Sequence, residues 1–419
     1  MKFSELDGRS VVLWGLGRET TALREQLARR LPGARIAAAI DDTTPEPGAR
    51  EALEHADVLV RSPGVSIYKP LIQQARANGL TVTTATGLWL AEREGRHVIG
   101  VTGTKGKSTT ATVIAHLLRQ SMPVELAGNI GRAVIDLLDL AHDDTWVVLE
   151  LSSYQIADLS TGPEVAVLTN LYREHTDWHG SEERYRADKL RLFDLPGVRA
   201  QFRYQHDRAG WHVDDQGAVR KGDVVVVAAN QLPLRGAHNA ANVATALGAI
   251  EAAGLPAPNL PDALDGLQAL PHRLQTVHTS ADGSEWIDDS ISTTPESTMA
   301  ALNAFPSRPI VLIAGGQDRS QDYRELGELI AARGADTQLI LLPETGARLG
   351  EAARAHGHAQ DRMSTAGDMR EATLRAGELV GPGSVVLLSP AAPSYNAYRN
   401  FEERGDDFAA HAKSVALPA

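Results

Sequence analysis

Short apolar runs alternate with amphipathic stretches along most of the chain. In the first segment, the run Ser10–Trp14 leads through glycines into a helical pattern that ends near Arg30. Two further strand patterns, Arg35–Ile40 and Asp57–Val60, each end beside polar or turn-forming residues. A strand followed by a helix, repeated in this way, predicts parallel sheets covered by helices and places the chain in the α/β class.

The same alternation continues through the rest of the chain in two further segments. The middle segment has strand patterns at Val98–Val101, in the first half of the stretch Thr145–Gln155, and at Val165–Asn170. The last segment has strand patterns at Pro309–Ala314, Gln338–Leu342 and Ser384–Ser389, and a helical stretch at Tyr323–Arg333. Apolar runs of this kind are typical of buried parallel strands. We therefore predict three domains: a Rossmann-like N-terminal domain (1–92), a central P-loop ATPase-type domain with a parallel or mixed sheet (93–270), and a C-terminal Rossmann-like α/β domain (271–419).

The glycine-rich stretch Thr102–Thr110 stands between an apolar strand pattern and a helical pattern. Gly103 and Gly106 allow successive backbone N–H groups to converge on an anion, and the following helix directs its positive end toward that anion. Lys107 can neutralise phosphate charge and Ser108 can hold Mg²⁺. The strict P-loop pattern has glycine where this chain has Val101, so the loop is a variant. It nevertheless predicts ATP chemistry.

Carboxylate and imidazole groups follow the neighbouring strand patterns. Glu150 ends an apolar run, where a carboxylate beside a phosphate loop suits Mg²⁺, although a surface acid is the simpler alternative. His175, with Asp177 and His179 close by, is a candidate neighbour of a metal or phosphate. Lys189 lies in an amphipathic helical pattern, and composition alone predicts that this lysine is solvated.

The N-terminal segment has the start of a nucleotide-binding pattern. Gly15 and Gly17 follow the first strand, but Thr20 stands where the dinucleotide fingerprint has glycine, so the indication for a nicotinamide cofactor is weak. Asp42 can meet a ribose or uracil, and Gly64 permits close approach of a ligand. Each could be an ordinary turn, but three at successive strand ends favour a nucleotide-shaped crevice.

Composition excludes several classes of protein. A chain of 419 residues with 43% hydrophobic residues can form several cores, and a formal charge of −12 argues against a nucleic-acid-coating protein. No cysteine is present, which excludes disulfides, Cys-ligated zinc and thiol catalysis. No apolar run has transmembrane length and the N-terminus has no signal-peptide pattern, so we expect a cytoplasmic protein without membrane insertion.

Taken together, these motifs resemble the Mur ligases, the ATP-dependent amide-forming enzymes of peptidoglycan precursor synthesis and thus of cell-wall biogenesis, cell shape and cell division. The likeness extends over nearly the whole chain, and the glutamate-adding, MurD-like branch is the most similar because of the short N-terminal domain and the ending Asn400–Gly405. The segments that carry it are Thr102–Thr109, Gly128–Gly131, Glu150–Gln155, His238–Asn242, His272–Arg273 and Leu388–Pro390.

The resemblance implies a reaction and its cofactors. ATP would phosphorylate the carboxylate of UDP-N-acetylmuramoyl-L-alanine, and the amine of glutamate would attack the acyl phosphate. Two Mg²⁺ ions are implied, as is a carbamylated Lys189 that bridges them. The implied catalytic residues are Lys107, Glu150, His175 and Lys189, and the implied metal ligands are Ser108, Glu150, His175 and Lys189.

The resemblance also assigns binding residues, one position at a time. Those implied for ATP are Gly103, Thr104, Lys105, Gly106, Lys107, Ser108, Thr109, Asn239, Asn242, Arg273 and Asp289. Those implied for the UDP substrate are Gly15, Leu16, Gly17, Asp42, Ser62, Gly64 and Asn129, so that UDP replaces a nicotinamide in the N-terminal crevice. Those implied for glutamate are Thr293, Arg319, Ser394 and Phe401.

Three departures from the usual pattern of the branch surround the expected glutamate site. They are the stretch Asp288–Glu296, Arg319 where lysine is usual, and Pro393 where alanine is common. Arginine is a planar fork and lysine a point charge, so the exchange should re-aim the bound carboxylate. These changes resemble the branch that adds L-glutamate, which implies a functional link to a glutamyl epimerase.

Three alternatives remain at this point. The first is addition of D-glutamate to the same substrate. The second is a non-catalytic nucleotide-binding protein, which the retained Ser108, Glu150, His175 and Lys189 disfavour. The third is a nicotinamide oxidoreductase, which would not explain Gly106–Ser108. We expect a monomer that acts on small-molecule substrates and binds no nucleic acid.

Overall fold

The computed structural model of the chain describes residues 1–140, 144–172, 176–205 and 208–415. Two compact units are present: residues 1–232 with 239–267, and residues 233–238 with 268–419. Each unit contains strands paired in parallel with helices packed on them, as the alternating sequence pattern predicts. Among the described residues, no helix combines the length and the apolar composition needed to cross a membrane.

The first sheet of unit 1 is parallel throughout and has the strand order β2-β1-β3-β4. Every residue of its first strand is buried, which explains the uninterrupted apolar run in the sequence. The elements are β1 (Ser10–Trp14), α1 (Arg18–Arg30), β2 (Arg35–Ile40), α2 (Glu46–Glu54), β3 (Val58–Arg61), α3 (Pro70–Ala77), β4 (Thr81–Thr83) and α4 (Ala85–Arg93).

A second parallel sheet of unit 1 has the order β6-β7-β5-β8-β9. Its elements are β5 (Val98–Thr102), α5 (Lys107–Leu118), β6 (Val124–Gly128), β7 (Trp146–Glu150), α6 (Ser153–Ile156), β8 (Val165–Leu168), α7 (Thr176–His179), α8 (Glu182–Leu190) and β9 (Ala200–Arg203). A small antiparallel sheet follows, formed by β10 (Trp211–Val213), β11 (Val219–Lys221) and β12 (Val224–Val227), and then comes α9 (Ala237–Ala252).

One apolar core joins the two parallel sheets of unit 1. Phe3, Leu23 and Trp89 belong to the same buried cluster as Leu149 and Leu192. The first three residues come from the predicted N-terminal domain and the last two from the predicted central domain. Burying so much apolar surface in one continuous cluster stabilises the two sheets as a single body. This explains why the structure groups them in one unit.

Unit 2 is built on a sheet with the order β13-β14-β18-β15-β16-β17, in which only the pair β13 and β14 is antiparallel among the described strands. Its elements are β13 (Gln275–Thr279), β14 (Glu285–Asp288), α10 (Pro295–Asn303), β15 (Ile310–Gly316), α11 (Arg324–Arg333), β16 (Thr337–Glu344), α12 (Thr345–Ala355), β17 (Met363–Thr365), α13 (Met369–Leu379), β18 (Val385–Leu388) and α14 (Phe401–Val415). Each of the three sheets that contain parallel strands lies within one predicted segment, and the domain boundaries themselves stay predictions.

Candidate active site

The loop between β5 and α5 has the backbone that its glycines predict. Gly103 has φ 150° and Gly106 has φ 80°, both in the region that favours glycine. A Cβ at Gly103 would overlap the Thr169 hydroxyl, and one at Gly106 would overlap the Asn242 side chain. Both positions therefore require glycine for two reasons, the φ angle and the close approach of a neighbouring chain segment.

Hydrogen bonds with the two residues that follow β8 fix the conformation of this loop. The Thr104 N–H donates to the Asn170 carbonyl at 3.0 Å, and the Lys105 N–H donates to the Asn170 side-chain oxygen at 2.8 Å. The Thr169 hydroxyl donates to the Lys105 carbonyl at 2.6 Å. These partners fix the loop ahead of α5, whose first turn begins with Lys107 and the buried Ser108. The N-terminus of this helix is a ready-made anion site.

The two asparagines expected on the ATP side lie against this loop. Asn242 donates to Asn239 at 3.1 Å and accepts a hydrogen bond from the Thr110 hydroxyl at 3.3 Å. Asn242 also packs on Gly106, as the overlap above requires. The structure thus brings together positions that stand far apart in the sequence.

Glu150 ends β7 opposite Val101 of β5, and its side chain is buried. One carboxylate oxygen accepts a hydrogen bond from the Asn129 amide at 3.0 Å, whereas the other, Oε2, is buried and has no hydrogen-bond partner among the residues that the structure describes. An orphaned carboxylate oxygen is costly unless a cation or a donor satisfies it. The donor chemistry therefore fits a hard cation such as Mg²⁺.

Lys189 is buried, which corrects the composition-based expectation that this lysine is solvated. Only 2% of the residue is exposed, and its Nζ donates to the Gly103 carbonyl at 2.7 Å. The ammonium also lies 5.0 Å from the ring centroid of Tyr185, whose hydroxyl is 2.7 Å from that of Thr104. Lys189 thus contacts the phosphate loop. His175, the other expected metal ligand, lies outside the described residues.

Among the residues that the structure describes, no three His, Cys, Asp or Glu side chains are grouped as a metal site. The expected ligand set does not depend on such a group, because two of its members are Ser108 and Lys189. The structure places Ser108 at the start of α5 and Lys189 on Gly103, at the two ends of one loop.

The N-terminal residues expected to hold UDP converge where β1, β2 and β3 end. Gly15 has φ 82°, its N–H donates to the Ile40 carbonyl at 2.7 Å, and Ser62 packs against both Gly15 and Gly17. Asp42 accepts from the Trp14 indole at 3.4 Å. Leu16 is 56% exposed at the tip of the turn. These residues lie at the carboxyl edge of a parallel sheet, where such sheets bind ligands.

Two cations near this edge were not singled out from the sequence. Lys69 lies 3.2 Å from Asp42, and Arg18 donates to the carbonyls of Gly131 at 2.7 Å and Gly128 at 2.8 Å. Arg18 thereby ties the turn after Gly17 to the loop that carries Asn129. The position of Arg18 directly after the glycines could have marked it as a candidate in the sequence. Its partners, Gly128 and Gly131, could not have been predicted in this way, because they lie at the end of β6 and just after it.

The loops expected around glutamate meet within unit 2. The Gly315 N–H donates to the Pro390 carbonyl at 2.9 Å, and the Gln317 N–H donates to the Pro393 carbonyl at 2.8 Å. The guanidinium of Arg319 lies 5.5 Å from the ring centroid of Tyr395, next to the buried Ser394. The loops that follow β15 and β18 therefore lie side by side.

The stretch that follows β14 is fixed by buried side chains. Arg404 donates to the Ser290 hydroxyl at 3.0 Å and to the Ala392 carbonyl at 3.0 Å, and the Ser290 hydroxyl donates to the Phe401 carbonyl at 2.8 Å. Burial lowers the pKa of Arg404 to about 10, so it stays a cation at neutral pH. Thr293 lies half-buried in this stretch. Arg404 therefore connects three segments that carry expected glutamate-binding residues.

Asp289, expected at the ATP ribose, is buried and already bonded. It accepts from the Leu274 N–H at 3.2 Å and from the Ser389 hydroxyl at 2.8 Å. Burial raises its pKa to about 7. Its neighbour Asp288 is 2.7 Å from His272, and this hydrogen bond raises the pKa of His272. Arg273, expected to bind ATP, directly follows His272 in the same turn.

Comparison with known proteins adds an independent line of evidence. Residues 101–208 match the family described as Mur ligase middle domain, and residues 272–392 match Mur ligase, glutamate ligase domain. These ranges contain the phosphate loop, Glu150 and Lys189 in the first case and the loop of Arg319 in the second.

Two relatives match the chain over nearly its full length. A protein of Micromonospora sp. named UDP-N-acetylmuramoyl-L-alanine--L-glutamate ligase is 37% identical over 99% of both chains. One of the same name from Xanthomonas euvesicatoria pv. vesicatoria is 36% identical over 98% of this chain and 96% of the relative.

A solved structure resembles the fold as a whole. The MurF ligase from Thermotoga maritima in complex with ADP is 16% identical, with a TM-score of 0.58, and the match covers 99% of this chain and 96% of that one. With the two full-length relatives and the two matching domain families, it leads to one conclusion: the chain belongs to the Mur ligase family, whose members are ATP-dependent amide-bond-forming ligases.

Proposed function

We propose that the chain adds L-glutamate to UDP-N-acetylmuramoyl-L-alanine, at the expense of ATP, in peptidoglycan precursor synthesis. The observation that carries the ligase chemistry is the set of groups that surround the phosphate loop: the loop itself with Gly103 and Gly106, the Glu150 carboxylate on the adjacent strand, and the buried Lys189, which donates to Gly103. The names of the two full-length relatives support the choice of substrates.

The reaction proceeds in two balanced steps in this proposal. An oxygen of the alanine carboxylate attacks the γ-phosphorus of ATP, ADP leaves, and an acyl phosphate forms. The glutamate amine then attacks the acyl carbon, inorganic phosphate leaves, and the amine loses a proton. Activation is needed because oxide is a poor leaving group. The N–H groups of the loop and the Lys107 ammonium stabilise the transferring charge.

Mg²⁺ fits the residues at the loop. We assign Ser108 and Glu150 to one ion, and Lys189 as a carbamate, together with His175, to a second. Bound Mg²⁺ supplies positive charge that neutralises the phosphate oxygens. A carbamate would convert the Lys189 cation into an oxygen ligand, and its contact with Gly103 would then be replaced.

The N-terminal crevice is assigned to the UDP part of the substrate. Gly15 and Gly17 lack side chains beside Ser62, which leaves the backbone close to any bound ligand, and Asp42 with Lys69 lies nearby. Arg18 and Asn129 lead from this crevice to Glu150, because Arg18 bonds the loop of Asn129 and Asn129 bonds Glu150. Unit 1 thus has a continuous series of contacts from the expected UDP end to the expected site of phosphoryl transfer.

The enantiomer is assigned from the departures in unit 2. Arg319 on Tyr395 presents a planar fork where the usual pattern has a lysine point charge. Recognition of one enantiomer depends on how two carboxylates and one amine meet three fixed partners, so re-aiming one carboxylate changes the preferred hand. We therefore assign L-glutamate, and addition of D-glutamate is the competing outcome.

Turnover with separated enantiomers tests this proposal. The purified protein is incubated with ATP, Mg²⁺, UDP-N-acetylmuramoyl-L-alanine and either L- or D-glutamate, and the product mass and released phosphate are measured. Omitting the L-alanyl substrate provides the control. Product with L-glutamate supports the assignment. Product with the D-enantiomer alone contradicts the stereochemistry, and no product with either contradicts the function.

Substitution of Lys189 tests the carbamate. Lys189→Ala removes the side chain beside Gly103, so we expect ligation to fall below detection, and a short carboxylic acid added to the assay should restore a measurable fraction by occupying the vacated space. Full activity in Lys189→Ala would remove the proposed role. An exposed lysine exchanged in the same way, Lys2→Ala, serves as the control.

A further inference from the structure

The carboxylate of Asp188 binds two side chains from different parts of unit 1. It accepts a hydrogen bond from the Tyr68 hydroxyl at 2.7 Å and lies 2.6 Å from Nδ1 of His179. Asp188 is 7% exposed and His179 is fully buried. A buried carboxylate needs such partners, and here they are supplied by the loop before α3 and by α7.

The second nitrogen of His179 is also engaged. Nε2 lies 3.0 Å from the hydroxyl of Ser153, which is buried at the start of α6. A carboxylate only accepts hydrogen bonds, so Nδ1 carries a proton, and Nε2 can accept from the serine hydroxyl or donate to it. The series Tyr68–Asp188–His179–Ser153 is therefore satisfied in either protonation state of the ring.

Both ends of this series lie next to groups of the proposed reaction. Ser153 follows Glu150 after a short turn at the end of β7, and its neighbour Ser152 caps α6 with a capping box. Asp188 directly precedes Lys189 on α8. Because adjacent residues of a helix point in directions about 100° apart, fixing Asp188 fixes the rotation of α8 and the direction of Lys189.

Aromatic packing holds the histidine in place. The ring of His179 lies 5.4 Å from Tyr185 in an edge-on arrangement and 4.5 Å from Trp178, which stacks on Tyr154 at 4.5 Å. The Trp178 indole donates to the Gly64 carbonyl at 3.0 Å. The cluster thus reaches the turn expected to hold the UDP substrate.

We infer that His179 is a positioning residue that, through Asp188, sets the direction of Lys189 toward the phosphate loop, and that Tyr68 links this setting to the substrate-binding crevice. The inference rests on the proposed function for the role of Lys189. A displacement of about 1 Å in a reacting group can cost about 100-fold in rate. The predicted signature is therefore a loss of kcat with little change in the KM for ATP.

Conservative variants separate this role from simple packing. His179→Phe keeps an aromatic ring and removes both hydrogen bonds, so kcat should fall by about 30-fold or more. His179→Asn places an N–H near the position of Nδ1 and can still bond Asp188, whereas His179→Gln places one nearer Nε2. We expect the asparagine variant to retain more activity than the glutamine variant. Tyr68→Phe, which removes one hydroxyl, should cost about 3- to 10-fold.

A buried histidine elsewhere provides the matched control. His358 is 4% exposed and neither of its ring nitrogens has a hydrogen-bond partner in the described part of the chain, so His358→Phe perturbs a core without breaking such a series. Steady-state kinetics and thermal unfolding are measured for all variants. Equal activity of His179→Asn and His179→Gln, a loss in His358→Phe as large as in His179→Phe, or a kcat within twofold of wild type in His179→Phe would each overturn the inference.

The test distinguishes failure of the inference from failure of the proposed function. If the wild-type protein ligates neither enantiomer, the function fails, and the positioning of Lys189 is then measured without activity. The rate at which acetic anhydride modifies Lys189, followed by mass spectrometry of peptides, should rise about tenfold in His179→Phe, since a released side chain reaches solvent. Less protection in His179→Phe than in both wild type and His358→Phe supports positioning, and unchanged protection overturns it.

Discussion

The phosphate loop of unit 1 and the loops around Arg319 in unit 2 are built in different ways. The first is one stretch of backbone between β5 and α5, bounded by glycines and bonded to the end of one neighbouring strand. The second is formed by three separate stretches that Arg404 and backbone hydrogen bonds hold together. A contiguous backbone site is visible in a sequence because its residue types are dictated locally. A site assembled from side chains depends on contacts between distant segments.

The comparison also separates reaction from specificity. Backbone N–H groups and the half-bonded Glu150 suit any phosphoryl donor, whereas a planar arginine beside Tyr395 suits a particular arrangement of carboxylates. Changes in the first region should therefore stop turnover with every acceptor. Changes in the second should act mainly on the amino acid.

The largest effect is expected for Glu150→Gln. The exchange keeps the shape but removes the negative charge of a carboxylate whose Oε2 has no partner among the described residues, so we expect kcat to fall by about 10³-fold with both glutamate enantiomers. Glu125→Gln is the control, since Glu125 lies on the adjacent strand β6 and pairs with Arg132. Initial rates of phosphate release measure both. Near-normal rates in Glu150→Gln would contradict the assignment of the reaction chemistry to the region around the phosphate loop.

Gly106→Ala should lower activity by about 30- to 100-fold. The new methyl group meets Asn242 and the residue keeps φ 80°, so both strain and overlap distort the anion site. Gly254→Ala has a similar φ of 66° but open space around the added carbon, which isolates the overlap from the strain. ATP binding by calorimetry and kcat are compared. Equal effects in the two variants would contradict a role for the close contact with Asn242.

Arg319→Lys should raise the KM for glutamate by about tenfold and leave the KM for ATP unchanged. Lysine retains the charge but loses the planar fork and the stacking on Tyr395. Arg324→Lys, at an exposed residue paired with Asp322, provides the comparison. The ratio of L- to D-glutamate turnover is measured for each. An unchanged ratio together with an unchanged KM would remove Arg319 from the proposed specificity.

The smallest effect concerns the pH dependence of stability at Asp289. Its pKa is about 7 in the folded protein against an ordinary 3.8, so the folded state binds more protons between these values. Stability therefore falls as the pH rises from about 4 to about 7, and the full penalty, on the order of a few kcal/mol, applies above pH 7. Asp289→Asn removes that charge. We expect its unfolding temperature to exceed that of wild type by about 2 °C or more at pH 8. At pH 5 the two unfolding temperatures should be closer.

Asp282→Asn supplies the opposite case. Hydrogen bonds from Ser284 lower the pKa of this exposed carboxyl, so its removal should not stabilise the protein at pH 8. If Asp289→Asn also fails to stabilise the protein at pH 8, burial is not the main influence on the pKa of Asp289. The KM for ATP of Asp289→Asn is measured as well, because a ribose contact predicts an increase and a purely structural role does not.

Much of the fold could be predicted because periodicity is a local property. The strand Arg35–Ile40 and the helix that ends at Arg30 have the bounds that the pattern predicts, and the buried strands of unit 2 differ by a residue or two at their ends. The grouping of both N-terminal sheets in one unit could not be predicted, since it depends on an apolar core shared by residues such as Phe3 and Leu149. Which apolar faces pack together is a property of the folded chain.

The sequence by itself determined the α/β class, the phosphate loop with its glycines, and the family, because each depends on residue types in a fixed order. Only the tertiary structure decided that Lys189 is buried on Gly103, that one Glu150 oxygen finds no partner within the described ranges, and that Asp188 binds both Tyr68 and His179. Such contacts join residues far apart in the chain. Their energies depend on burial and distance, which no local pattern records.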